Sequence, residues 1–304
     1  MNDQHEDERR ADGLPGGALP PRPPEPPWAG HLRLFAREEL VLALRSRWTQ
    51  IFAVVFGVLS LAVAGAGYVL SGGHGVQDFA RTAVSLVQLV LLLVPLTALV
   101  IGVLSLAPER GAAELVFSQP VARRTILLGK LLGLFQALAA AQAVGFGAAG
   151  VVVYAQSGPE GLGGFLMLVA ASLVTTAVFL GLAALLSAGA VGRKRTRALA
   201  LALVVWFVAV VLFDLAALGL ASLLPSGTAS RVLMIAAIVN PIGAVRTGTL
   251  LAIEGTGAFG AASLALFRFT RGATGAGLVL GVSLLVWLVA PTALAIRRLR
   301  KADV

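Results

Sequence analysis

Long apolar stretches alternate with short charged or turn segments through most of this chain. Six of them each reach about 20 residues, enough to cross a hydrocarbon core of about 30 Å as a helix. They are Ile51–Leu70, Val84–Leu106, Leu131–Tyr154, Leu162–Leu186, Ala198–Leu224 and Ala276–Ile296. Because a lipid-embedded backbone must satisfy its own hydrogen bonds, and the alternating pattern of barrel strands is missing from the sequence, these stretches can span only as helices. The pattern therefore predicts an all-α integral membrane protein with six transmembrane helices.

The lysines and arginines lie on alternate sides of these stretches. Seven precede the first stretch, four follow each of the second, fourth and sixth, and five of the 24 lie on the other side. By the positive-inside rule, this bias predicts a multi-pass protein of the cytoplasmic (inner) membrane with both termini in the cytoplasm. The formal net charge of +9 is then mainly a topology signal, with attraction to the anionic lipid bilayer second. No soluble basic surface with interleaved aromatic residues is apparent, so nucleic acid is not an expected partner.

The N-terminal region differs in composition from the rest of the chain. Residues 1–30 contain seven of the fourteen prolines and are predicted to be a disordered cytoplasmic tail, whereas residues 31–304 are predicted to form the six-helix transmembrane domain. Residues 31–48 mix apolar and charged side chains and are too charged to span. We expect an amphipathic helix there that lies in the headgroup plane, with Trp48 at the interface.

The segment 107–130 is the one sizeable loop expected on the cytoplasmic side between spans. Its candidate functional residues are charged or turn-forming: Glu109, Arg110, Gly111, Glu114, Pro120, Arg123, Arg124 and Lys130. A charged helix followed by a proline turn and basic residues at the membrane surface would make a rigid lever that a soluble partner could push. The alternative is an ordinary basic loop that only fixes the topology.

Several of these segments resemble the ABC type 2 permeases. Residues Glu114–Lys130 (ELVFSQPVARRTILLGK) resemble the cytoplasmic loop of that family, and Ala36–Trp48 resembles its elbow helix. Residues Trp206–Leu220 and Asn240–Arg246 are similar to the NosY-type subfamily, the permease of the copper-processing ABC system associated with nitrous oxide reductase. This chain departs from the usual Gly-Thr-Leu step of the loop, because Gly111 is followed by two alanines.

The resemblance implies a membrane subunit that carries no active site of its own. A separate cytoplasmic ABC ATPase subunit would hold ATP and Mg, and a second copy of the permease would complete a homodimer. The expected purpose is copper-site maturation of nitrous oxide reductase, with a periplasmic copper-handling protein docked on an outer loop, 225–275, at Asn240, Pro241 and Arg246. Export of a lipid, drug or peptide is the main alternative, and a non-ABC membrane channel or scaffold protein is the alternative of another class.

The residues agree with a chain that has neither a catalytic nor a metal site. The phosphate-binding motif G-x-x-x-x-G-K-[ST] does not occur. There is no cysteine, and the three histidines, His5, His31 and His74, are far apart in sequence. We therefore expect no catalytic residue, no cofactor and no bound metal in this chain.

Asp214 is the only formal charge within a predicted span, and it lies in the outer half of the fifth. A carboxylate at the bilayer centre costs about 2.5–3.5 kcal/mol on insertion scales, so it needs a partner or a polar cavity. Three roles are open: a structural contact with Arg231, Arg246 or a helix N-terminus, a part in conformational coupling, or direct contact with a substrate.

Two further patterns concern packing. Small residues recur at every fourth position from the loop into the third span, and they predict close helix packing, either within the chain or in a dimer. They are Gly129, Gly133, Ala137, Ala141, Gly145 and Ala149. In the outer loop, apolar pieces too short to span suggest interfacial or re-entrant helices, with a turn at Asn240–Pro241.

Overall fold

The computed structural model describes residues 28–71, 76–107, 121–188, 195–254 and 261–301, and within these ranges the chain is helical and contains no strand. The helices are α1 (Trp28–Arg45), α2 (Arg47–Ser71), α3 (Val76–Leu106), α4 (Arg123–Ala188), α5 (Arg195–Phe207), α6 (Phe213–Ser222), α7 (Ser226–Val239), α8 (Pro241–Glu254), α9 (Ala261–Thr270) and α10 (Ala273–Lys301). A π-helical turn, Val208–Leu212, joins α5 to α6.

Six segments of the described chain are long and apolar enough to cross a membrane. They are Arg47–Gly67, Thr82–Leu106, Arg123–Ala155, Gly161–Ala188, Arg195–Ser222 and Ala273–Arg300. Each overlaps one of the six predicted stretches. The predicted all-α, six-span fold is therefore confirmed.

The elbow helix α1 lies against the bundle through one face. Its buried residues are Phe35, Ala36, Glu39 and Ala43, spaced as one side of a helix, while Leu42 is exposed. The structure corrects the predicted bounds, because Trp28–Gly30 are already helical and Trp48 belongs to α2. The helices separate at Ser46, a residue whose hydroxyl competes for backbone hydrogen bonds and so disfavours helix continuation. The rest of the predicted tail, residues 1–27, lies outside the described residues.

Helix α4 holds the third and fourth spans, which fold back on each other at Gly158. Gly158 has φ 60° and ψ −156°, a conformation that residues with a Cβ rarely adopt. The two halves are joined by Gln142, which is buried: its Oε1 accepts from Ser172 Oγ at 2.6 Å, and its Nε2 donates to Thr176 Oγ1 at 2.7 Å. Polar side chains in apolar surroundings are thus paired across the helices.

The stripe of small residues on α4 packs inside the chain. A Cβ on Gly133 would lie 2.8 Å from the Cβ of Glu39 in α1. A Cβ on Gly145 would lie 2.6 Å from Cδ1 of Phe56 in α2. Of the two interpretations open from the sequence, the structure shows the internal one, because these glycines let α1 and α2 approach the α4 backbone.

The predicted outer loop, 225–275, is mostly helical. Helices α7 and α8 are each too short to cross a membrane, but together they are long and apolar enough, and they are bent by 103° where Asn240 separates them. We call this pair the hairpin. It has the geometry of a broken span or a re-entrant loop, as the short apolar pieces predicted, and α9 then leads into α10.

Candidate functional site

A buried carboxylate joins three helices at one face of the bundle. We call this the elbow face, where α1, the end of α3 and the start of α4 meet. Glu39 is only 5% exposed; its Oε2 lies 3.2 Å from Lys130 Nζ, and its Oε1 accepts a hydrogen bond from Ser105 Oγ. A buried charge is tolerated when a counter-ion and hydrogen bonds offset its desolvation. Ser105 precedes and Lys130 follows the segment 108–120 in the sequence, so Glu39 joins the elbow helix to the two helices that flank that segment, α3 and α4.

Glu39 was not predicted to have this role. One feature of the sequence could have indicated that Glu39 is buried: it lies on the same side of the helix as the apolar residues Phe35, Ala36 and Ala43. An acidic residue on an apolar face has to find a partner when that face is buried. The partners lie far away along the chain, so their identity could not be read locally.

Two arginines of the elbow face bind the carbonyl groups at helix ends. Arg123 Nη1 donates to Leu299 O of α10 at 2.8 Å, and Arg195 Nη2 donates to Leu104 O of α3. The last carbonyls of a helix have no intrahelical partner, and cations interact favourably with the C-terminal end of the helix dipole. Arg123, a predicted residue of the cytoplasmic loop, therefore connects α4 to α10, and Arg195, which was counted only for the topology, connects α5 to α3.

The residues predicted for the coupling loop divide into two groups. Glu109, Arg110, Gly111, Glu114 and Pro120 lie outside the described residues. The basic residues at the end of the predicted loop are instead helical, in the first turns of α4: Arg123, Arg124 and Lys130. The structure corrects this boundary: no proline occurs between Ala122 and Gly158, and the third span begins in the helix at Arg123 rather than at Leu131.

At the opposite face, Asp214 forms an ion pair with Arg246. Asp214 Oδ2 lies 2.6 Å from Arg246 Nη2, and the two side chains are 29% and 30% exposed. Asp214 belongs to the first turn of α6 and Arg246 to α8, so the pair joins the fifth span to the hairpin. Of the partners open from the sequence, the structure shows Arg246, which neutralises the carboxylate within the span.

Asn240 connects the bend of the hairpin to the π-helical turn. Its Nδ2 donates to Ala209 O at 2.7 Å, and its Oδ1 accepts from the amide of Ile242 at 3.2 Å. A π-turn departs from the usual hydrogen-bond register of the α-helix, and such turns are frequent at functional sites. The asparagine amide thus holds the irregular part of the fifth span against the start of α8.

This geometry corrects the docking role predicted for Asn240 and Pro241. Asn240 is 3% exposed and Pro241 is buried, so neither presents its side chain to another protein. Arg246 is likewise directed to Asp214 within the chain. Asn240 and Arg246 instead connect the hairpin to the fifth span within the chain, and Pro241 is buried beside them.

Side chains of α10 fasten the other side of the hairpin. Trp287 Nε1 donates to Val239 O at 2.9 Å, and Ser283 Oγ donates to Ile238 O. These carbonyls end α7 and lack partners within their own helix. Hydrogen bonds to both the fifth and the sixth span therefore hold the bend at Asn240 in place.

In the part of the chain that the structure describes, no three His, Asp or Glu side chains meet in a way that could hold a metal ion. The charged and amide side chains described at the two faces bind one another or backbone carbonyl groups, and so connect neighbouring helices. Six candidate spans, a packed elbow helix and a hairpin held by the fifth and sixth spans define a multi-pass helical membrane protein.

Comparison with known proteins agrees with this class. The sequence model of the ABC-2 family transporter proteins matches residues 34–304, and the chain belongs to that family. A protein of Pseudomonas aeruginosa (strain PAO1) named Probable ABC transporter permease protein NosY is 34% identical over 237 residues, which cover 76% of this chain and 85% of that protein. The protein of the same name from Stutzerimonas stutzeri is 35% identical over 236 residues, covering 75% and 85%. The resemblance to ABC type 2 permeases of the NosY kind is thereby confirmed, and membership of the family implies an ATPase partner.

Proposed function

We propose that this chain couples ATP hydrolysis on a separate ATPase subunit to an event outside the inner membrane, namely copper-site maturation of nitrous oxide reductase. The observation that carries the proposal is the similarity to two NosY permeases over about three quarters of the chain. The chain itself has no catalytic role, and ATP and Mg are held by the ATPase. Two copies of the permease form a homodimer.

The charge distribution supports the orientation. In the part of the chain that the structure describes, lysines and arginines cluster in the elbow helix, at the starts of α4 and α5 and at the end of α10, which is the end of the bundle that carries the elbow face. The elbow face then lies in the cytoplasm with both termini, and the hairpin lies toward the periplasm. We infer from this orientation that segment 108–120, which follows the second span in the sequence, is on the cytoplasmic side and accessible to a soluble ATPase.

The contacts suggest a route for movement from one face to the other. Displacement of segment 108–120 acts on α3 and α4, which Glu39 ties to the elbow helix. Helix α3 contacts the fifth span through Trp206, whose Nε1 donates to Leu92 O at 3.0 Å. The fifth span carries the π-turn, and Asn240 connects that turn to the hairpin. Coupling between distant sites travels through contiguous packed elements of this kind when they have two discrete arrangements.

In this proposal, copper is held by the periplasmic partner. Soft Cu(I) prefers thiolate and thioether ligands, and this chain has no cysteine and only three methionines, Met1, Met167 and Met234. Since Asn240 and Pro241 are buried, we place partner docking on exposed apolar residues of the outer helices, such as Ile235 of α7 and Phe269 of α9.

The proposal is tested at segment 108–120. We expect the double substitution Glu109→Lys and Glu114→Lys to weaken binding of the ATPase subunit about tenfold, since opposite charges at a docking surface are replaced by like ones. The measurement is the amount of ATPase that co-purifies with the permease, together with the ATPase rate of the complex.

Glu38→Lys is the matched control, because Glu38 is an exposed acidic residue of the elbow helix outside the segment. It should leave both quantities unchanged. Unaltered ATPase binding and turnover in the Glu109 and Glu114 double variant would remove this segment from the coupling mechanism.

A further inference from the structure

An apolar groove runs along the surface shared by the third, fourth and sixth spans. Its volume is about 410 Å³, and its walls come from both halves of α4 and from α10. Among the described residues that line it, only Thr292 is polar, and its Oγ1 already donates to Leu288 O at 2.9 Å. Leu132 and Val289 in its walls are 40% and 53% exposed, so the groove is open to the membrane.

The groove has the character of a site for an acyl chain. Empty space beside a helix surface forfeits van der Waals contacts, so a groove open to the membrane is filled by an apolar chain. Because lipid tails are as apolar as leucine, a chain bound here gains contacts but little selectivity. Any selectivity between lipids must therefore come from polar groups at an end of the groove.

Three exposed arginines stand at the end of the groove nearest the elbow face. Side chains four residues apart on a helix lie above one another. On α4, Arg124 comes four residues before the lining residue Leu128. On α10, Arg300 comes four residues after the lining residue Ile296, and Arg297 follows Ile296 directly. The two helices therefore continue from the groove into basic side chains.

These arginines belong to one junction and have no counter-ion there. The hydrogen bond from Arg123 Nη1 to Leu299 O holds the start of α4 against the end of α10. Arg124 and Arg300 are the next residues along these two helices. Within the part of the chain that the structure describes, the guanidinium groups of Arg124, Arg297 and Arg300 form no ion pair and no hydrogen bond. Guanidinium groups of this kind bind phosphate oxygens through paired N–H donors.

We propose that the groove and its arginines bind an anionic phospholipid, with an acyl chain between α4 and α10 and the phosphate on Arg124 and Arg300. Basic sites between transmembrane helices on the cytoplasmic side bind anionic headgroups in this way. The cytoplasmic leaflet follows from the orientation proposed above. The bound lipid contacts both halves of α4 and the end of α10, so it stabilises the junction of these helices.

The test counts lipids bound to the purified full-length chain by native mass spectrometry. Phosphatidylglycerol and phosphatidylcholine with identical acyl chains are titrated separately. We expect the wild type to bind phosphatidylglycerol selectively. The double substitution Arg124→Gln and Arg300→Gln should weaken that binding about tenfold, because charge-assisted contacts to the phosphate are lost.

The control for charge is the double substitution Arg45→Gln and Arg197→Gln. It removes the same net charge from exposed arginines of α1 and α5 that do not line the groove. This variant should bind phosphatidylglycerol as the wild type does. Equal binding of both lipids by the wild type, or an equal loss in the two double variants, would overturn the proposal.

A second pair of variants tests the groove and keeps every charge. Ala293→Phe fills the groove from α10 and should weaken phosphatidylglycerol binding to a similar extent. Ala290→Phe makes the same change at an exposed alanine of α10 outside the groove and should have no effect. Equal binding by these two variants would show that no acyl chain lies in the groove, and it would overturn the proposal.

Two other occupants give different results. Displacement of the lipid by low millimolar inorganic phosphate would assign the arginines to a soluble anion. A lipid-free dimer that Ala293→Phe, but not Ala290→Phe, dissociates would assign the groove to a second copy of the chain. Either result would overturn the proposal. No ATPase is present in this experiment, so its failure leaves the proposed ATPase coupling standing, and failure of ATPase docking leaves the lipid site standing.

Discussion

Replacing Gly133 with leucine will push the elbow helix away from α4 and break the contact between Glu39 and Lys130. A Cβ at this position would lie 2.8 Å from Glu39 Cβ and 2.9 Å from the backbone nitrogen of Leu40, so the added side chain has no room. Overpacking of this kind costs about 1–3 kcal/mol. We expect a lower unfolding temperature in detergent and a loss of ATPase stimulation in the complex.

Gly147→Leu is the control for this result. Gly147 lies on the same helix, and a Cβ there would meet no atom within 4 Å. Gly147→Leu also replaces a glycine within a helix but causes no clash, so the stability of the protein should be unchanged or slightly higher. Equal behaviour of the two variants would show that the approach of α1 to α4 is not needed for stability or coupling.

Arg246→Met will leave Asp214 without its partner inside a membrane span. We expect a loss of about 2–3 kcal/mol, because an unpaired carboxylate in a span is expensive and these side chains are about 30% exposed. Unfolding by denaturant in a fixed lipid and detergent mixture measures the change. Arg231→Met, which removes an exposed arginine of α7, is the matched control and should cost little.

The partner variants complete a double-mutant cycle. Asp214→Asn keeps the shape and a hydrogen bond to Arg246, so it should be tolerated better than Asp214→Leu. Asp214→Leu combined with Arg246→Met should recover part of the loss, because both charges are then removed. Additive losses in the double variant would mean that the ion pair does not contribute to stability.

The spans were predictable from hydropathy because the bilayer imposes a length and an internal hydrogen-bonding rule on every crossing segment. Residues Ala198–Leu224, for example, were recognised as one span, and the structure places the fifth span at Arg195–Ser222. The π-turn inside it was not predicted. Val208–Leu212 is a run of apolar residues with no local feature that distinguishes a π-turn from an α-helix.

The polar contacts were predictable only in part. Asp214 was expected to need a partner because it stands alone in an apolar span, and Arg246 was one of two arginines proposed for it. The turn at Asn240 was predicted correctly, but its burial was not, and a buried side chain does not fit the docking role predicted for it. Its burial depends on how α8 packs beside the fifth span, which the local sequence does not reveal. Glu39 was missed because its partners, Ser105 and Lys130, are 66 and 91 positions away.

Transmission from the elbow face to the hairpin is tested most directly by a distance measured in the working complex. The chain has no cysteine, so two introduced cysteines can be spin-labelled specifically on the purified permease before the ATPase is added. Ile235 of α7 and Val151 of α4 are exposed and report on the hairpin relative to the helix core. We predict that the distance changes by a few ångströms between the nucleotide-free and the vanadate-trapped complex, and that the Glu109→Lys, Glu114→Lys variant abolishes the change. An unchanged distance in the wild-type complex while it hydrolyses ATP would contradict the transmission of movement to the outer face.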